Sequence, residues 1–239
     1  DFSETSQTVA LLLREHGLIR GLAKGAKRAK GSFSGGIDVL TRGHAVMLTK
    51  PSRGLAIVTE WQLQETFRPV RLHLPANRAA LYMADLALHL LHEEDPHPEL
   101  FDALVDGLRR LENLSAVGAV LLRYQWVALE QAGYRPRLDL PARLESGAMK
   151  DRGEEPVLGF APMDGGVVSD AANSGVWGVR GSTVELLRRA AAGPLETTED
   201  AAQLDRANRL LAAYTREILG RELPTMRWAG LDAPSTESS

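Results

Sequence analysis

The pattern of apolar and polar positions changes once along the 239-residue chain, near Pro75. Before this point, short runs rich in Val, Leu, Ile and Thr are broken by Gly, Ser and Pro, which is typical of strands joined by turns. Four such runs lie between Thr5 and about Thr66: TVALLLREHG, GLIRGLAKG, IDVLTRGHAVMLTK and GLAIVTEWQLQET. They predict a small antiparallel sheet or barrel with turns at Gly17, Gly35-Gly36 and Pro51-Ser52.

After Pro75, apolar residues recur at helical spacing. Asn77 is the predicted N-cap of a helix that ends before Pro96 and Pro98. Its predicted apolar face carries Leu81, Ala84, Leu88 and Leu91. Two more helices are predicted in PELFDALVDGLRRLEN and SAVGAVLLRYQWVALEQAGY, the second ending at Gly133.

Residues 135–178 are irregular and rich in Gly, Pro and mixed charge, which predicts either an elaborated loop or a minimal β subdomain. Helical spacing then returns in STVELLRRAAAG and TTEDAAQLDRANRLLAAYTREILG. Each of these helices is predicted to open with Ser or Thr and to carry an acid in its first turn. The final residues, LDAPSTESS, are predicted to form a frayed tail.

Charge is distributed unevenly along the chain. Residues 1–75 hold 11 Lys and Arg against 6 Asp and Glu, a net charge of +5, whereas the whole chain has a formal charge of −3. A basic end on an acidic chain points to an acidic partner such as nucleic acid or a membrane surface. No apolar run approaches the roughly 18 residues of a membrane span, and the N-terminus lacks a signal-peptide pattern, so a cytoplasmic protein is expected.

The chain contains no cysteine, which excludes disulfides, thiolate zinc ligands and a cysteine nucleophile. It also lacks the P-loop, GxSxG, HExxH and GxGxxG motifs, so no enzyme site is predicted. The segment HLLHEEDPH leaves a metal-dependent enzyme open, because its imidazoles have the spacing of ligands on one helix. Those histidines are His89, His92 and His97. The alternative is a polar helix end whose histidines lie near the last carbonyl groups.

The strongest functional signal is the segment LAKGAKRAKGSFSGG at residues 22–36. Its cations can neutralise backbone phosphates and release counterions, its glycines permit reshaping, and Phe33 can offer one base a stacking surface. A solubilising surface loop is the alternative. The predicted DNA-contacting residues are Arg14, Arg20, Lys24, Lys27, Arg28, Lys30, Phe33 and Arg42.

Several segments resemble the bacterial RecO family of recombination mediators. They are the acidic-aromatic turn Asp1-Phe2-Ser3-Glu4, the turn Arg14-Glu15-His16-Gly17, the run AKGAKRAK at 23–30, PELFDALVDGLRRL, LLRYQWVALEQAGYRPRLD and PMDGGVV. The motifs agree in order and spacing over nearly the whole chain.

The resemblance implies an α+β multidomain protein without a cofactor. The implied segments are an N-terminal OB-fold β-barrel that binds DNA (1–75), a central helical bundle (76–134), a zinc-ribbon-like insertion (135–178), C-terminal helices that complete the helical domain (179–230) and a flexible tail (231–239). The implied activity is binding of single- and double-stranded DNA and annealing of strands. The implied partners are RecR and through it RecF, the C-terminal tail of the single-stranded DNA-binding protein, and indirectly RecA, in a cytoplasmic, nucleoid-associated setting.

Three departures from the family pattern matter. The four positions of the usual zinc-binding cysteines hold other residues, so a degenerate ribbon without metal is predicted, stabilised by Phe160, Val167, Val168 and Trp177. Those four positions are Pro141, Leu144, Ser169 and Ala172. Set against the family pattern, the given sequence is expected to begin after the first strand of the OB barrel. The usual Arg-Arg pair reads Lys27-Arg28, which loses one bidentate phosphate fork.

The leading hypothesis is therefore a non-enzymatic DNA-binding and strand-annealing mediator. A second hypothesis is an adaptor that docks acidic protein tails on the helical domain, with incidental DNA contact. Such a groove needs a cationic rim, for which Arg109, Arg110 and Arg123 are candidates. Arg188 and Arg189 are expected on a solvated helix face, and Trp61, Trp126 and Phe101 are expected in the core.

Overall fold

The computed structural model describes residues 6–26, 33, 37–48, 54–139, 155–168 and 174–232. The chain divides into two compact units, Asp1–Glu112 and Asn113–Ser239. Strands and helices occur in both, so the α+β class predicted from the sequence is confirmed. The five segments expected from the family resemblance stay a prediction, and one of them, 76–134, crosses the boundary between the two units.

The N-terminal unit contains four strands: β1 (Gln7–Leu13), β2 (Gly17–Ala23), β3 (Arg42–Leu48) and β4 (Ala56–Glu65). They lie in the order β1-β2-β4-β3. The pairs β1–β2 and β3–β4 are antiparallel, as predicted, but β2 and β4 are parallel. The antiparallel prediction is wrong for this pair because the long connection through β3 permits a crossover that a short turn cannot make. No closed barrel is found among the described residues.

A bulge in β4 makes one face of this sheet apolar. Met47 pairs with Val58 but Val46 pairs with Glu60, so Thr59 is an extra residue in the ladder. Strand residues three apart normally face opposite sides, and the extra residue returns Trp61 to the side of Val58. The buried core on this side comprises Ala23, Ala26, Phe33, Ile37, Val58 and Trp61, with Val9, Leu11, Ala45 and Met47 packed against it.

Three helices complete the N-terminal unit: α1 (Arg68–Leu72), α2 (Leu74–Leu90) and α3 (Pro98–Arg110). The predicted N-cap at Asn77 is wrong, because α2 begins three residues earlier with Pro75 in its first turn. Proline fits there, since the first N–H groups of a helix lack intrahelical partners. The helix ends at Leu90, before Pro96 and Pro98, as predicted.

The buried face of α2 differs from the predicted stripe. Leu81, Ala84 and Leu88 are only half-buried, although Leu91 just beyond the helix is buried. Alanine permits closer packing than leucine, and the buried side of this helix carries four of its five alanines. The buried residues of α2 are Ala76, Ala79, Ala80, Tyr82, Met83, Leu86, Ala87 and Leu90.

The β1–β2 turn contacts the connection between α2 and α3 through the backbone. The amide of Glu94 donates to the carbonyl of Leu18 at 3.0 Å. Gly17 has a φ of +70°, and a Cβ at this position would lie 2.0 Å from the Asp95 carbonyl oxygen. Only glycine therefore fits this position, which joins the sheet to the helices of the same unit.

The C-terminal unit begins with a 3₁₀ turn at Leu114–Ala116 and helix α4 (Val117–Gln131). A small sheet follows, from β5 (Val157–Ala161), β6 (Gly166–Val168) and β7 (Trp177–Arg180) in the order β6-β5-β7. Both of its pairings are antiparallel. Of the two alternatives predicted for residues 135–178, the minimal β subdomain is therefore the one observed in the described residues.

Three more helices follow the small sheet: α5 (Gly181–Ala192), α6 (Ala201–Leu219) and α7 (Pro224–Trp228). The predicted Ser or Thr caps and first-turn acids of α5 and α6 are wrong. Asp200 caps α6 by accepting from the amide of Gln203, and Glu155 accepts from the amide of Ser182 in α5. A distant carboxylate satisfies the same free N–H group as a local cap.

Aromatic and polar contacts order the core of the C-terminal unit. The Phe160 ring is fully buried, stacked on Trp177 at a centroid distance of 5.9 Å and edge-on to Tyr214 at 5.4 Å. Gln125 of α4 donates to Asn208 of α6 at 2.8 Å, and Asn208 donates to the carbonyl of Gly118. These paired amides fix how the two helices meet.

None of the described helices is long and apolar enough to cross a membrane.

We expect Gly17→Ala to destabilise the N-terminal unit by roughly 2–4 kcal/mol, because a methyl group would overlap the Asp95 backbone at an unfavourable positive φ. Gly133→Ala is the matched control, since its φ is +82° but no described atom lies within 4 Å of the added Cβ. Hydrogen exchange of amides in the unit that carries each change measures the loss. Equal losses for the two variants would contradict the close contact.

Candidate nucleic-acid interface

The structure describes five of the eight residues predicted to contact DNA: Arg14, Arg20, Lys24, Phe33 and Arg42. The remaining three lie outside the described residues: Lys27, Arg28 and Lys30. The five fall into three groups with different surroundings. One is an exposed lysine, one is a buried ring, and three are arginines on or beside the sheet.

Lys24 follows β2 directly and is exposed. Within the described part of the chain its ammonium group makes no hydrogen bond or ion pair. Two residues further on, Ala26 is fully buried in the sheet core. We call residues 24–30 the basic segment. It begins with an exposed cation, Lys24, and the buried Ala26 follows two residues later.

Phe33 lies in the core, and only 5% of its surface is exposed. A base can stack only on a ring whose face reaches solvent. The stacking role predicted for Phe33 is therefore wrong for this structure, because the ring packs in the cluster that contains Trp61 and Val58. Sequence alone does not separate an anchor from a stacking platform, since both are single aromatic residues among glycines.

The chain beyond Phe33 is held to β1 by a side-chain amide. The Gln7 amide group donates to the Ile37 carbonyl at 2.7 Å, and its oxygen accepts from the Ile37 amide at 3.2 Å. Ile37 itself is buried in the sheet core. The described residues on both sides of the basic segment are thus anchored to the same core.

Arg14 forms a two-pronged ion pair with Asp102 of α3. Its Nε and Nη2 atoms each donate to one carboxylate oxygen at 2.9 Å, and Nη1 donates to Glu15 at 2.6 Å. The hydrogen bond to Asp102 is the main cause that raises the pKa of Arg14. The same bond lowers the pKa of Asp102. Both side chains are about half exposed, so another anion can reach them.

Arg20 on β2 forms an ion pair with Glu93, which lies three residues beyond the end of α2. The distance from Arg20 Nε to Glu93 Oε1 is 2.6 Å, and both side chains are about half exposed. Glu93 also forms a parallel bridge with Leu18 through its backbone. The ion pair therefore lies directly beside the backbone contact between turn and helices.

Glu65, at the end of β4, lies between two arginines. Arg109 of α3 donates to both carboxylate oxygens, at 3.0 and 2.8 Å, and Arg42 of β3 lies 3.3 Å away. The hydrogen bond from Arg109 is the main cause that lowers the pKa of Glu65. It also raises the pKa of Arg109. Arg42, which was predicted to contact DNA, thus already has an acidic neighbour.

The sequence contains no local signal for these pairings. Asp102 lies 88 residues from Arg14, Glu93 lies 73 residues from Arg20, and Arg109 lies 44 residues from Glu65. Charge counts along the chain show how many cations are present but not which acids the fold brings to them. The sequence therefore does not indicate that Asp102, Glu93 and Glu65 lie beside the arginines of this surface.

The cationic rim expected for tail docking includes arginines already used within their own units. Arg109 is paired with Glu65, as described. Arg123 Nη1 donates to the carbonyls of Ala190 and Ala191 at the end of α5, at 2.7 and 3.1 Å. Burial lowers the pKa of Arg123. Arg123 is therefore a cap for the last carbonyls of α5.

The arginine pair on α5 is also internally engaged. Arg188 donates to the carbonyl of Leu138, and Arg189 pairs with both carboxylate oxygens of Glu199. These contacts connect α5 to the segments before and after it in the same unit. The expectation of a merely solvated face is too simple for these two residues.

The histidine segment spans the last turn of α2 and the connection that follows it. His89 Nδ1 lies 2.8 Å from the Asp85 carbonyl oxygen and 3.0 Å from the Asp85 carboxylate. His97 Nε2 lies 3.4 Å from Asp95. Among the described residues, no group of three His, Asp or Glu side chains is placed to hold a metal ion. The metal-dependent enzyme hypothesis gains no support.

The remaining predictions concern aromatic residues and the former zinc positions. Trp61 and Trp126 are buried, as predicted, and Phe101 is half-buried. Phe160 is buried and contacts Trp177, in line with the predicted packing, whereas Val167 and Val168 are half-buried. The four positions aligned with zinc-binding cysteines all lie outside the described residues: Pro141, Leu144, Ser169 and Ala172.

Comparison with known proteins covers nearly the whole chain. Residues 1–67 match the family model "Recombination protein O N terminal", and residues 71–227 match "Recombination protein O C terminal". The chain is 30% identical over 229 residues to the DNA repair protein RecO of Rhodopirellula baltica, covering 95% of this chain and 83% of the relative. It is 32% identical over 251 residues to that of Myxococcus xanthus, covering 97% and 94%. With the Salinibacter ruber protein it shares 35% identity over 168 residues, 70% of this chain and 62% of the relative.

These matches agree on one class, the DNA repair and recombination proteins. Lys24, an exposed cation directly after a strand of the N-terminal sheet, is consistent with that class. The chain belongs to the RecO family.

We expect the N-terminal unit to lose stability as the pH falls from neutral to the ordinary pKa of carboxyl groups, about 4, and below it. The pKa values of Asp102 and Glu65 are lowered in the folded state, so the unfolded chain binds protons first and acid favours unfolding. Glu65→Gln should cost up to about 1 kcal/mol at neutral pH and make the acid decline shallower. Urea unfolding across this pH range measures both effects.

Glu112→Gln is the control for this prediction, since Glu112 is exposed and forms no side-chain ion pair in the described part of the unit. It should leave the pH profile unchanged. A Glu65→Gln profile as steep as that of the unaltered chain would contradict the assigned role of the carboxylate.

Proposed function

We propose that this protein is a non-enzymatic recombination mediator that binds DNA and anneals complementary strands. Membership of the RecO family supports a role in DNA repair and recombination. The observation that carries the finer proposal is the basic segment from Lys24 to Lys30, which begins with an exposed lysine and is flanked by residues buried in the sheet core.

The proposed mechanism is electrostatic. Lys24, Lys27, Arg28 and Lys30 neutralise backbone phosphates and release condensed counterions, which supplies affinity without regard to base sequence. Contacts to phosphate leave the base edges free to pair with a second strand. Annealing then requires only that two polyanions be held close together, and no acid or base catalyst takes part.

Arg14, Arg20 and Arg42 take a secondary part in this proposal. Each has a carboxylate neighbour in the structure, so a phosphate must compete with that acid for the guanidinium. Exposed ion pairs contribute only about 0–1 kcal/mol, which a closely held phosphate can replace. Phe33 is assigned to anchoring rather than stacking.

The proposed domain identities follow the family resemblance. The open sheet β1–β4 is proposed to be the main part of an OB-fold within residues 1–75. Strands β5–β7 are proposed to be a zinc-ribbon-like element that has lost its metal, where the packing of Phe160 between Trp177 and Tyr214 replaces the stabilising ion. Residues 76–134 and 179–230 are proposed to form one helical domain.

The proposed partners are single- and double-stranded DNA, RecR and through it RecF, the tail of the single-stranded DNA-binding protein, and RecA indirectly. The protein is proposed to act in the cytoplasm at the nucleoid, where it helps RecA load onto coated single strands. The internal engagement of Arg109 and Arg123 argues against them as the rim of a tail-docking groove.

Replacing Lys24, Lys27, Arg28 and Lys30 together by Ala should strongly weaken binding of single-stranded DNA. Each lost phosphate contact should reduce the slope of log K against log salt by about 0.7. Salt titration of a labelled oligothymidine by fluorescence anisotropy measures the slope. The control removes the same charge from the C-terminal unit, at Arg135, Arg209, Arg221 and Arg227. Unchanged affinity and slope in the loop variant would refute the proposal.

Asp102→Asn should increase the affinity for single-stranded DNA by up to about fivefold, because Nε and Nη2 of Arg14 then lose their carboxylate partner and can bind a phosphate. The salt slope should rise by about 0.7 in the same titration. Asp106→Asn is the control, since it makes the same charge change one turn along α3 without a hydrogen bond to Arg14. An equal gain in both variants would show only a general charge effect and exclude the competition.

A further inference from the structure

A surface that is rich in cations and poor in acids lies where α1 meets α2. The 19 residues from Thr66 to Ala84 contain three arginines and one histidine but no Asp or Glu. They include all of α1 and the first part of α2. None of them belongs to the residues predicted to contact DNA. A partner of this surface is therefore expected to carry negative charge.

The backbone between the two helices turns two leucines to the same side. Arg68 lies four residues before Leu72 on α1, and residues four apart are neighbours on a helix surface. Leu74 and Arg78 have the same spacing on α2. Between the helices, His73 has extended backbone angles of −122° and 116°. In extended chain the side chains before and after a residue point the same way, so Leu72 and Leu74 share a side.

Arg71 adds a third aliphatic residue to this surface. Its guanidinium donates to the Asp38 carboxylate at 2.8 Å, to the Val39 carbonyl at 3.1 Å and to the Thr66 carbonyl at 3.2 Å. These bonds hold the backbone of Val39 beside α1. We call Val39, Arg68, Leu72, Leu74 and Arg78 the α1–α2 corner.

The aliphatic side chains of the α1–α2 corner protrude into solvent. Val39 is 66% exposed, Leu72 is 63% exposed and Leu74 is 59% exposed. Side chains that line a groove are shielded by its walls, so such large exposures describe a protruding surface. Arg68 and Arg78 are exposed as well, and within the described residues neither guanidinium has a hydrogen bond or an ion pair. Exposed apolar side chains rimmed by charge mark an interaction site for a protein or a membrane.

We propose that the α1–α2 corner binds the surface of an anionic phospholipid bilayer. The three aliphatic side chains enter the boundary between head groups and acyl chains, and Arg68 and Arg78 pair with the lipid phosphates. The contact is peripheral, because none of the described helices is able to span a membrane. A fluid bilayer adapts its shape to side chains that protrude, so the contact requires no groove on the protein.

Other polyanions fit the α1–α2 corner less well. Nucleic-acid bases stack on aromatic rings, and the exposed apolar residues of the corner are aliphatic. A peptide places its apolar side chains in a groove, whereas the aliphatic side chains here protrude. The corner shares no residue with the basic segment, so this proposal does not rest on the proposed DNA binding.

Sedimentation of the full chain with vesicles of phosphatidylglycerol and phosphatidylcholine in equal parts tests the proposal. Binding to vesicles of phosphatidylcholine alone should be at least about tenfold weaker, because these carry no net charge. The double change Arg68→Gln with Arg78→Gln should weaken binding to the charged vesicles at least about tenfold. The double change Leu72→Ser with Leu74→Ser should weaken it about tenfold, because less apolar surface leaves water.

Matched controls remove the same types of side chain from exposed positions of the C-terminal unit. They are Arg221→Gln with Arg227→Gln, and Leu114→Ser with Val157→Ser, and both should leave vesicle binding unchanged. The variant with four Ala changes in the basic segment should still prefer charged to neutral vesicles. Loss of that preference would assign lipid binding to the basic segment and overturn the proposal. Circular dichroism checks the folding of each variant.

A second measurement locates the contact without removing any part of the leucine and arginine pairs. The chain has no cysteine, so one introduced cysteine can carry a polarity-sensitive dye. With charged vesicles, the dye on Val39→Cys should shift its emission to shorter wavelength, because it leaves water. The dye on Val157→Cys, another exposed valine position, should not shift.

Three results would overturn the proposal directly. They are absence of binding to charged vesicles, binding that the corner variants leave unchanged, and no emission shift at Val39→Cys. A larger loss for oligothymidine, or for a labelled peptide of alternating Asp and Leu, than for vesicles would also overturn it, since the corner would then serve nucleic acid or protein.

Discussion

The backbone contact between Gly17 and Asp95 is the constraint on which the N-terminal unit depends. At this point the β1–β2 turn approaches the α2–α3 connection so closely that no side chain fits between them. The amide of Glu94 bonds to the carbonyl of Leu18 beside it. Because this contact holds the turn in place, the ion pairs from Arg14 to Asp102 and from Arg20 to Glu93 can form on either side of it.

The same geometry links stability to the proposed function. The ion pairs of Arg14 and Arg20 connect the sheet region to the helices of the unit, and in the proposed function phosphate groups compete for these same arginines. The pairs are half exposed, so they contribute little to folding free energy and exchange readily. In that proposal the main part in phosphate binding belongs to the basic segment, whose flanks at Ala26 and Phe33 are buried in the sheet core.

The strands, helices and turns could be predicted well from the sequence where neighbouring residues carry the signal. Four strands and the long helices follow from periodicity, and the turn at Gly17 follows from a glycine between two apolar runs. Predictions failed where the partner lies far away in the chain. The parallel pairing of β2 with β4, the cap that Glu155 supplies to Ser182 and the burial of Phe33 all depend on segments brought together by folding.

By itself the sequence determined the class of fold, the basic character of the first 75 residues and the family. These properties reside in composition, periodicity and the order of motifs, which folding does not alter. Only the tertiary structure decided which cations are paired, which aromatic ring is buried and where exposed leucines lie beside unpaired arginines in the described residues. Pairing and burial depend on distances in space, and residues 88 positions apart, such as Arg14 and Asp102, leave no local trace of such a contact.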